Sequence, residues 1–508
     1  LTVDKGDDMD ITMEIYQQFV KLRSNNLSKL VYKMFDFNRG LVTFKLVRDG
    51  RKKRLAKDKD FYIVDHIDDC IRYPITLKDD IATYIKNNVP EANLIMEKVK
   101  TFKPKLAKFT TRKDFKPRDY QIPFINFITR EDTHSLLIDL PTGKGKTYTS
   151  LYAASKLGYV FAILVLPKYM DKWIEDIKNY TDIPEDKVLV IKGRDGINHI
   201  FNTPRKKLRE YKTFIISLST FATFVRNYMK GDITGYDGTP EEFFKKLKIG
   251  LLLNDETHDE FHNVYYATLF ADVKKFIGLT ATLVSNDKRM RKMYRVLFPD
   301  TSRVYVPALH KKYVYIYSVS YKHSVKKIKY KSGFGYSQAE YEKWLMSDPQ
   351  RLRRYLEMIY YIFRYGHDEV KSSEEDKILI YAGTIEMCRL IANYLKQKHP
   401  DYKISKYTQE EEYETVLNNE VIVSTTLSAG TGLDIPNLTS VIQTVAVDSE
   451  KVNKQTRGRL RDLEGKTVRF YYLWSPDIPS HRAYNKNRML YFKDTAKEFR
   501  FIHYNKLI

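Results

Sequence analysis

Between residues 135 and 282 one pattern recurs five times: a short, almost unbroken apolar run that ends in a turn. The runs are "SLLIDL", "VFAILVLP", "TFIISLS", "IGLLLNDE" and "KFIGLTAT", with helical stretches between them. A strand that is apolar on both faces must be covered on both, which is the condition of a parallel sheet clad in helices. The same grammar returns at "KILIYAG", "NEVIVSTT", "TSVIQTVAV" and "VRFYYLW". Two α/β units are therefore expected, over about 118–300 and about 370–475.

A chain of 508 residues is too long for one hydrophobic core. Four segments are expected: an N-terminal basic domain at 1–110, a first α/β domain at 111–300, a connection at 301–370 and a second α/β domain at 371–508. The first of these has mixed α+β character. In it, "ITMEIYQQFVKL" has helical spacing, and "LVTFKLVRDGRKKRLAKDKDFYIVDHI" predicts strand, turn, strand around Asp49-Gly50. The turn carries Arg51, Lys52, Lys53, Arg54 and Lys57. Such a run is either a solvated hairpin tip or a phosphate contact.

Lys and Arg number 87 against 64 Asp and Glu, a net charge of +23. That excess favours a polyanionic partner, most simply nucleic acid. Cys70 and Cys388 stand far apart, form no zinc set and suit a reducing compartment. The longest apolar run, "YVFAILVLP", is far short of the ~20 residues of a spanning helix. A cytoplasmic protein without a membrane partner is expected.

The stretch "SLLIDLPTGKGKTYTS" resembles a phosphate-binding loop with Leu140 where the general pattern has glycine. In "PTGKGKT", Thr142, Gly143, Lys144 and Gly145 form the loop, Lys146 can reach β and γ phosphates, and Thr147 can hold Mg²⁺. Asp255 and Glu256 end another apolar run, on the edge of the sheet that faces the phosphates. One acid can orient Mg²⁺ and the other can polarise the attacking water. "GLTATL", "STTLSAGTGLDIP" and the cationic "QTRGRLRD" follow. Arginine offers forked donors suited to a γ-phosphate.

Taken together these stretches resemble superfamily-two helicases and translocases, in order and over about residues 115–500. "LPTGKGKT" resembles motif I, "DETH" motif II, "GLTATL" motif III, "STTLSAGTGLDIP" motif V and "QTRGRLRD" motif VI. "RDYQ" resembles the adenine-reading element, and "VLPKYMDKWIED" motif Ia with Trp173. In this superfamily the loop's first glycine is not required, so Leu140 is no defect. Within it, "GTGLDIP" and the tail "HRAYNKNRMLYFKDTAKEFRFIHY" are similar to the group of XPB and the bacteriophage branch-migration helicase UvsW.

The resemblance implies two RecA-like parallel-sheet domains in tandem, plus a smaller α+β N-terminal domain. It implies ATP and Mg²⁺ as cofactors and DNA as partner, with work in replication, recombination or repair beside other such proteins. Lys146 would bind the phosphates, Thr147 and Asp255 the Mg²⁺, and Glu256 would be the general base. Gln121 would read adenine. Thr280 and Thr282 would couple hydrolysis to the nucleic-acid track, and His258 would sense closure. Gly432 and Asp434 would touch the nucleotide from the second domain, where Gln455, Arg459 and Arg461 would complete the site. The family's last motif VI arginine falls on Asp462, with Arg461 one position early. The expected function is an ATP-driven DNA helicase that unwinds or branch-migrates forked DNA. An RNA-directed or transcript-release motor, the motor subunit of a nuclease complex, and a nucleotide-gated binding module share parts of this pattern.

Overall fold

The computed structural model describes residues 9–508 except 50–51, 101–102, 133, 142, 281–287, 305, 307–311, 334, 409–413, 415–417, 427, 429–434 and 494. The chain divides into two compact units, Leu1–Tyr305 and Val306–Ile508.

The first unit opens with β1 (Met9–Ile15) and β2 (Phe19–Ser24). The segment expected to be helical, around Ile11, Ile15, Phe19 and Leu22, is this antiparallel hairpin instead. Met9, Ile11 and Met13 are fully buried, a period of two that the coincident helical spacing concealed. Among the described residues, β3 (Val42–Asp49) and β4 (Lys52–Asp60) pair only with each other, as the Asp-Gly turn signal predicts. β5 (Ile63–Asp65), β6 (Cys70–Pro74) and β7 (Ala92–Lys98) complete a five-stranded sheet of order β5-β6-β2-β1-β7.

The parallel sheet follows. Its strands are β8 (Ser135–Asp139), β9 (Phe161–Val165), β10 (Val188–Ile191), β11 (Thr213–Ser217), β12 (Leu251–Asp255), β13 (Lys275–Thr280) and β14 (Arg303–Val304). The order is β10-β11-β9-β12-β13-β8-β14, every pair parallel. The apolar runs are buried on both faces, as their composition requires.

The two sheets of this unit share one interior. Met9, Phe19 and Ile81 belong to the same buried cluster as Leu164, Phe244 and Phe276. Polar groups cross the seam as well. Gln18 Nε2 donates to Val273 O at 2.9 Å, and Ser135 Oγ donates to Gln18 Oε1 at 2.7 Å. Arg72, 1% exposed, donates to Asp65 at 2.7 Å and to Glu241 at 2.8 Å. Its guanidinium also lies 4.5 Å from the Phe270 ring centre. Burial pushes Glu241 upward, but Arg72 and Lys21 outweigh it and hold the carboxyl down at about 2. Removing one member of such a buried set strands the others, at a cost of about 3–5 kcal/mol. Arg72→Met should therefore lower the unfolding free energy by that amount, read as a fall in the denaturant midpoint. Arg353→Met, which breaks an exposed pair with Glu357, should cost less than about 1 kcal/mol. Equal midpoints for the two variants would show that the Arg72 cluster braces nothing.

In the second unit β15 (Val314–Tyr321) comes first, then a short hairpin of β16 (Lys331–Ser332) and β17 (Gly335–Tyr336). β18 (Lys377–Ala382), β19 (Ile404–Tyr407), β20 (Val421–Thr425), β21 (Leu438–Gln443), β22 (Val468–Trp474) and β23 (Ala496–Tyr504) follow. Seven of these form an all-parallel sheet, β19-β20-β18-β21-β22-β15-β23. β15 comes from the stretch read in the sequence as a connection. The fold is thus α/β, with two seven-stranded parallel sheets in tandem along the chain and a smaller α+β region before them, as expected for two RecA-like domains.

Among the described residues no helix is long and apolar enough to cross a membrane. Cys70 and Cys388 are both buried thiols.

Candidate functional site

β8 ends at Asp139 and the helix Lys146–Leu157 begins seven residues later, so the glycine loop lies at the carboxyl edge of the sheet. Gly143 and Gly145 have φ of +78° and +80°, a region open to glycine at little cost. Gly145 is held closely: a Cβ there would stand 2.6 Å from Gln121 Nε2. Gln121 is buried, and its amide donates to Lys144 O at 3.0 Å while its Oε1 accepts from Arg118 N at 2.9 Å. The structure thus brings Gln121 onto the loop as a brace. Lys146 and Thr147 open the helix, half-buried, where unpaired N–H groups and the helix dipole favour an anion.

Leu140, standing where the general loop pattern has glycine, is fully buried. Its N–H donates to Thr280 O at 3.1 Å, and its carbonyl accepts from Lys146 Nζ at 3.4 Å. The position is filled by a side chain that packs, and the backbone ties the loop to β13.

Asp255 is the last residue of β12 and Glu256 follows in the left-handed region, with φ +51°. This kink turns the chain so that Thr257 N donates to Leu279 O at 3.0 Å. His258 Nδ1 then lies 3.0 Å from Thr280 Oγ1 and 3.5 Å from Glu256 Oε2. Motifs I, II and III of the sequence pattern therefore meet at three neighbouring strand ends.

Asp255 is held above the usual carboxylate range, first by burial and then by repulsion from Glu256, with Lys146 pulling the other way. Trp173 Nε1 donates to Asp255 Oδ2 at 3.1 Å. Lys172 and Asp176 also act on this cluster, and Asp176 is pushed up to about 6, chiefly by burial. Sequence reasoning named Trp173 but missed Lys172 and Asp176. Lys172 and Asp176 stand four apart on the helix Met170–Tyr180, and that spacing was the available signal. The donor set fits Mg²⁺: a hydroxyl and a carboxylate are hard oxygen ligands, and a divalent cation would relieve the crowding of Asp255 and Glu256. Thr147 and Asp255 are the residues that would hold it.

In the second unit the helix Glu450–Arg457 is capped by Ser449, whose Oγ accepts from Val452 N at 3.3 Å. Asn453 and Thr456 face inward: Arg488 Nε donates to Asn453 Oδ1 at 2.9 Å, and Thr456 Oγ1 donates to Gln443 Oε1 at 3.2 Å. Gln455, Arg459 and Arg461 are half-buried. Arg459 lies beside the Tyr381 hydroxyl, which burial pushes up to about 12 and the guanidinium draws back. Asp462, on the family's arginine position, is exposed.

Thr142, Thr282, Arg51, Gly432 and Asp434 lie outside the described residues, as do the side chains of Lys52 and Lys53. Arg54 is exposed on β4. The root of that hairpin is held by the helix Lys288–Leu297, where Arg289 stacks 4.3 Å over the Phe44 ring and donates to Val42 O at 3.4 Å.

Comparison with known proteins gives two family matches. Residues 114–285 match the family "Type III restriction enzyme, res subunit", and residues 356–462 match "Helicase conserved C-terminal domain". Together they take in more than half of the chain. Among solved structures, the Hef helicase domain of Pyrococcus furiosus is 16% identical with a TM-score of 0.43, over 75% of this chain and 100% of that one. T4 UvsW is 13% identical with a TM-score of 0.35, over 97% of this chain and 100% of that one. No curated protein matches the chain.

Proposed function

Given that the chain is a superfamily-two helicase, an ATP-dependent enzyme, we propose that it acts on forked and branched DNA, unwinding it or migrating its branch point. The observation that carries the chemistry is the meeting of Lys146, Asp255, Glu256 and Thr280 at one sheet edge. The net charge of +23 and the hairpin bearing Arg54 speak for a polyanionic track.

In this reading Lys146 and the loop N–H groups hold the β and γ phosphates, and Gln121 positions the loop beside adenine. Mg²⁺, when bound by Thr147 and Asp255, supplies charge neutralisation on the transferred phosphoryl group. Glu256 takes a proton from the attacking water. The second unit contributes Gln455, Arg459 and Arg461 to the γ-phosphate, Arg459 being the main finger, and their engagement and release drive the strokes of the motor. His258 and Thr280 relay the state of the phosphate to the DNA track, together with Thr282. Residues 1–110 recognise the duplex or its branch, with Arg51, Lys52, Lys53 and Arg54 on the backbone.

The test is ATPase stimulation compared across single-stranded DNA, forked DNA, four-way junctions and RNA. Forked and four-way DNA should stimulate most, and binding should weaken steeply with salt. Stimulation by RNA alone would replace this reading with an RNA-directed motor. The family name matched by residues 114–285 favours a second reading, the motor subunit of a nuclease complex. Cleavage that appears only when a partner protein is added would support it.

A further inference from the structure

A cavity of about 1060 Å³ opens on the first unit, away from the phosphate loop. His134, Tyr159, Lys274 and Lys275 line it, and they sit at the starts of β8, β9 and β13. In a parallel sheet that is the amino edge, the one opposite Lys146 and Asp255. The helix Ile122–Thr129 gives one wall through Ile122, Ile125 and Asn126. The helix Lys146–Leu157 gives the other through Tyr152, Lys156 and Leu157.

The groove pairs apolar walls with a cationic rim. Ile122 is 44% exposed, an uncovered aliphatic side chain on one wall. Lys116, Lys156 and Lys274 are exposed around it, and Lys275 is buried below. Burial draws the Lys275 ammonium down to about 8, with Asp132 and Glu131 opposing the change. Glu131 is the one carboxylate among the described lining residues. The charge calls for an anionic occupant.

The rings decide which kind. Single-stranded nucleic acid is gripped by aromatic faces on which bases stack. Here Lys156 Nζ stands 5.4 Å over the Tyr152 ring, and the Tyr148 ring packs against Tyr152 at 6.0 Å. Lys274 Nζ stands 5.1 Å over the Tyr159 ring and 3.1 Å from its hydroxyl. Tyr159 backs onto Gly250, where a Cβ would come 2.7 Å from its Cγ. Both rings are engaged by the protein itself, so neither is a platform for a base. We propose that this groove docks an acidic segment of a partner protein, its carboxylates set against Lys116, Lys156 and Lys274 and an apolar side chain seated on Ile122 and Leu157.

The experiment titrates a fluorescent synthetic peptide of glutamate and leucine with the protein and reads its anisotropy at physiological salt. The charge-reversed variant Lys156→Glu/Lys274→Glu should bind it about tenfold more weakly or worse. Lys326→Glu/Lys329→Glu, exposed in the second unit, should bind it like the parent. Both variants should keep DNA-stimulated ATPase activity, which verifies their folding. The proposal is overturned if both variants lose equally, since general attraction to the basic chain then accounts for binding. It is overturned as well if the peptide does not bind, or if oligothymidylate or ATP displaces it.

Discussion

Arg459→Ala is expected to lower DNA-stimulated ATP turnover by about 10³–10⁵-fold, the range associated with loss of an arginine finger. The helix before it is fixed from within the second unit: Asn453 and Thr456 are buried, and the following Leu460 is packed in the core. Its backbone is fixed too, because Tyr313 donates to Leu460 O at 2.9 Å. The guanidinium at 459 is therefore carried on a rigid base, which is what a group acting only in the transition state requires. Arg461→Ala should give a smaller loss, since one forked donor remains. Asp462 is exposed and its substitution by alanine should leave turnover intact. ATP affinity should change little in all three. Normal turnover by Arg459→Ala would remove the residue from the mechanism.

Glu256→Gln should cut turnover by about 10²–10⁴-fold while ATP and DNA still bind. The amide keeps the shape of the side chain and loses the ability to take a proton. Its contact with His258 can persist, so the link to Thr280 should survive. Trapped ATP-bound protein on DNA is the expected product of this variant. If single-turnover hydrolysis ran at the parental rate, the base would have to be sought elsewhere, and Asp176 would be the first residue to test.

The layout of the candidate site in the first unit was legible because it is local. A glycine loop between a strand and a helix, and an acid pair after an apolar run, are written within a few residues. His258 and Thr280 were each singled out by their motifs, but their contact across 22 positions was not read from the sequence. What escaped was written between distant residues. Arg72 and Glu241 stand 169 positions apart, Gln18 and Val273 255 apart, and neither pair has a spacing signal. β15 escaped for the same reason, since its partners β22 and β23 come some 150 to 180 residues later. β1 was misjudged because Ile11, Ile15, Phe19 and Leu22 satisfy a helical count while crossing a turn.

The shared interior of the first unit bears on how such enzymes can be rebuilt. Exchanging residues 1–110 for another module would strip Arg72 and Lys21 from Glu241 and the Gln18 amide from Val273, and would expose the apolar side chains beneath them. The natural place to cut and splice is near 305. The amino-terminal part is thereby joined without slack to the carrier of the phosphate loop, so that turning one turns the other.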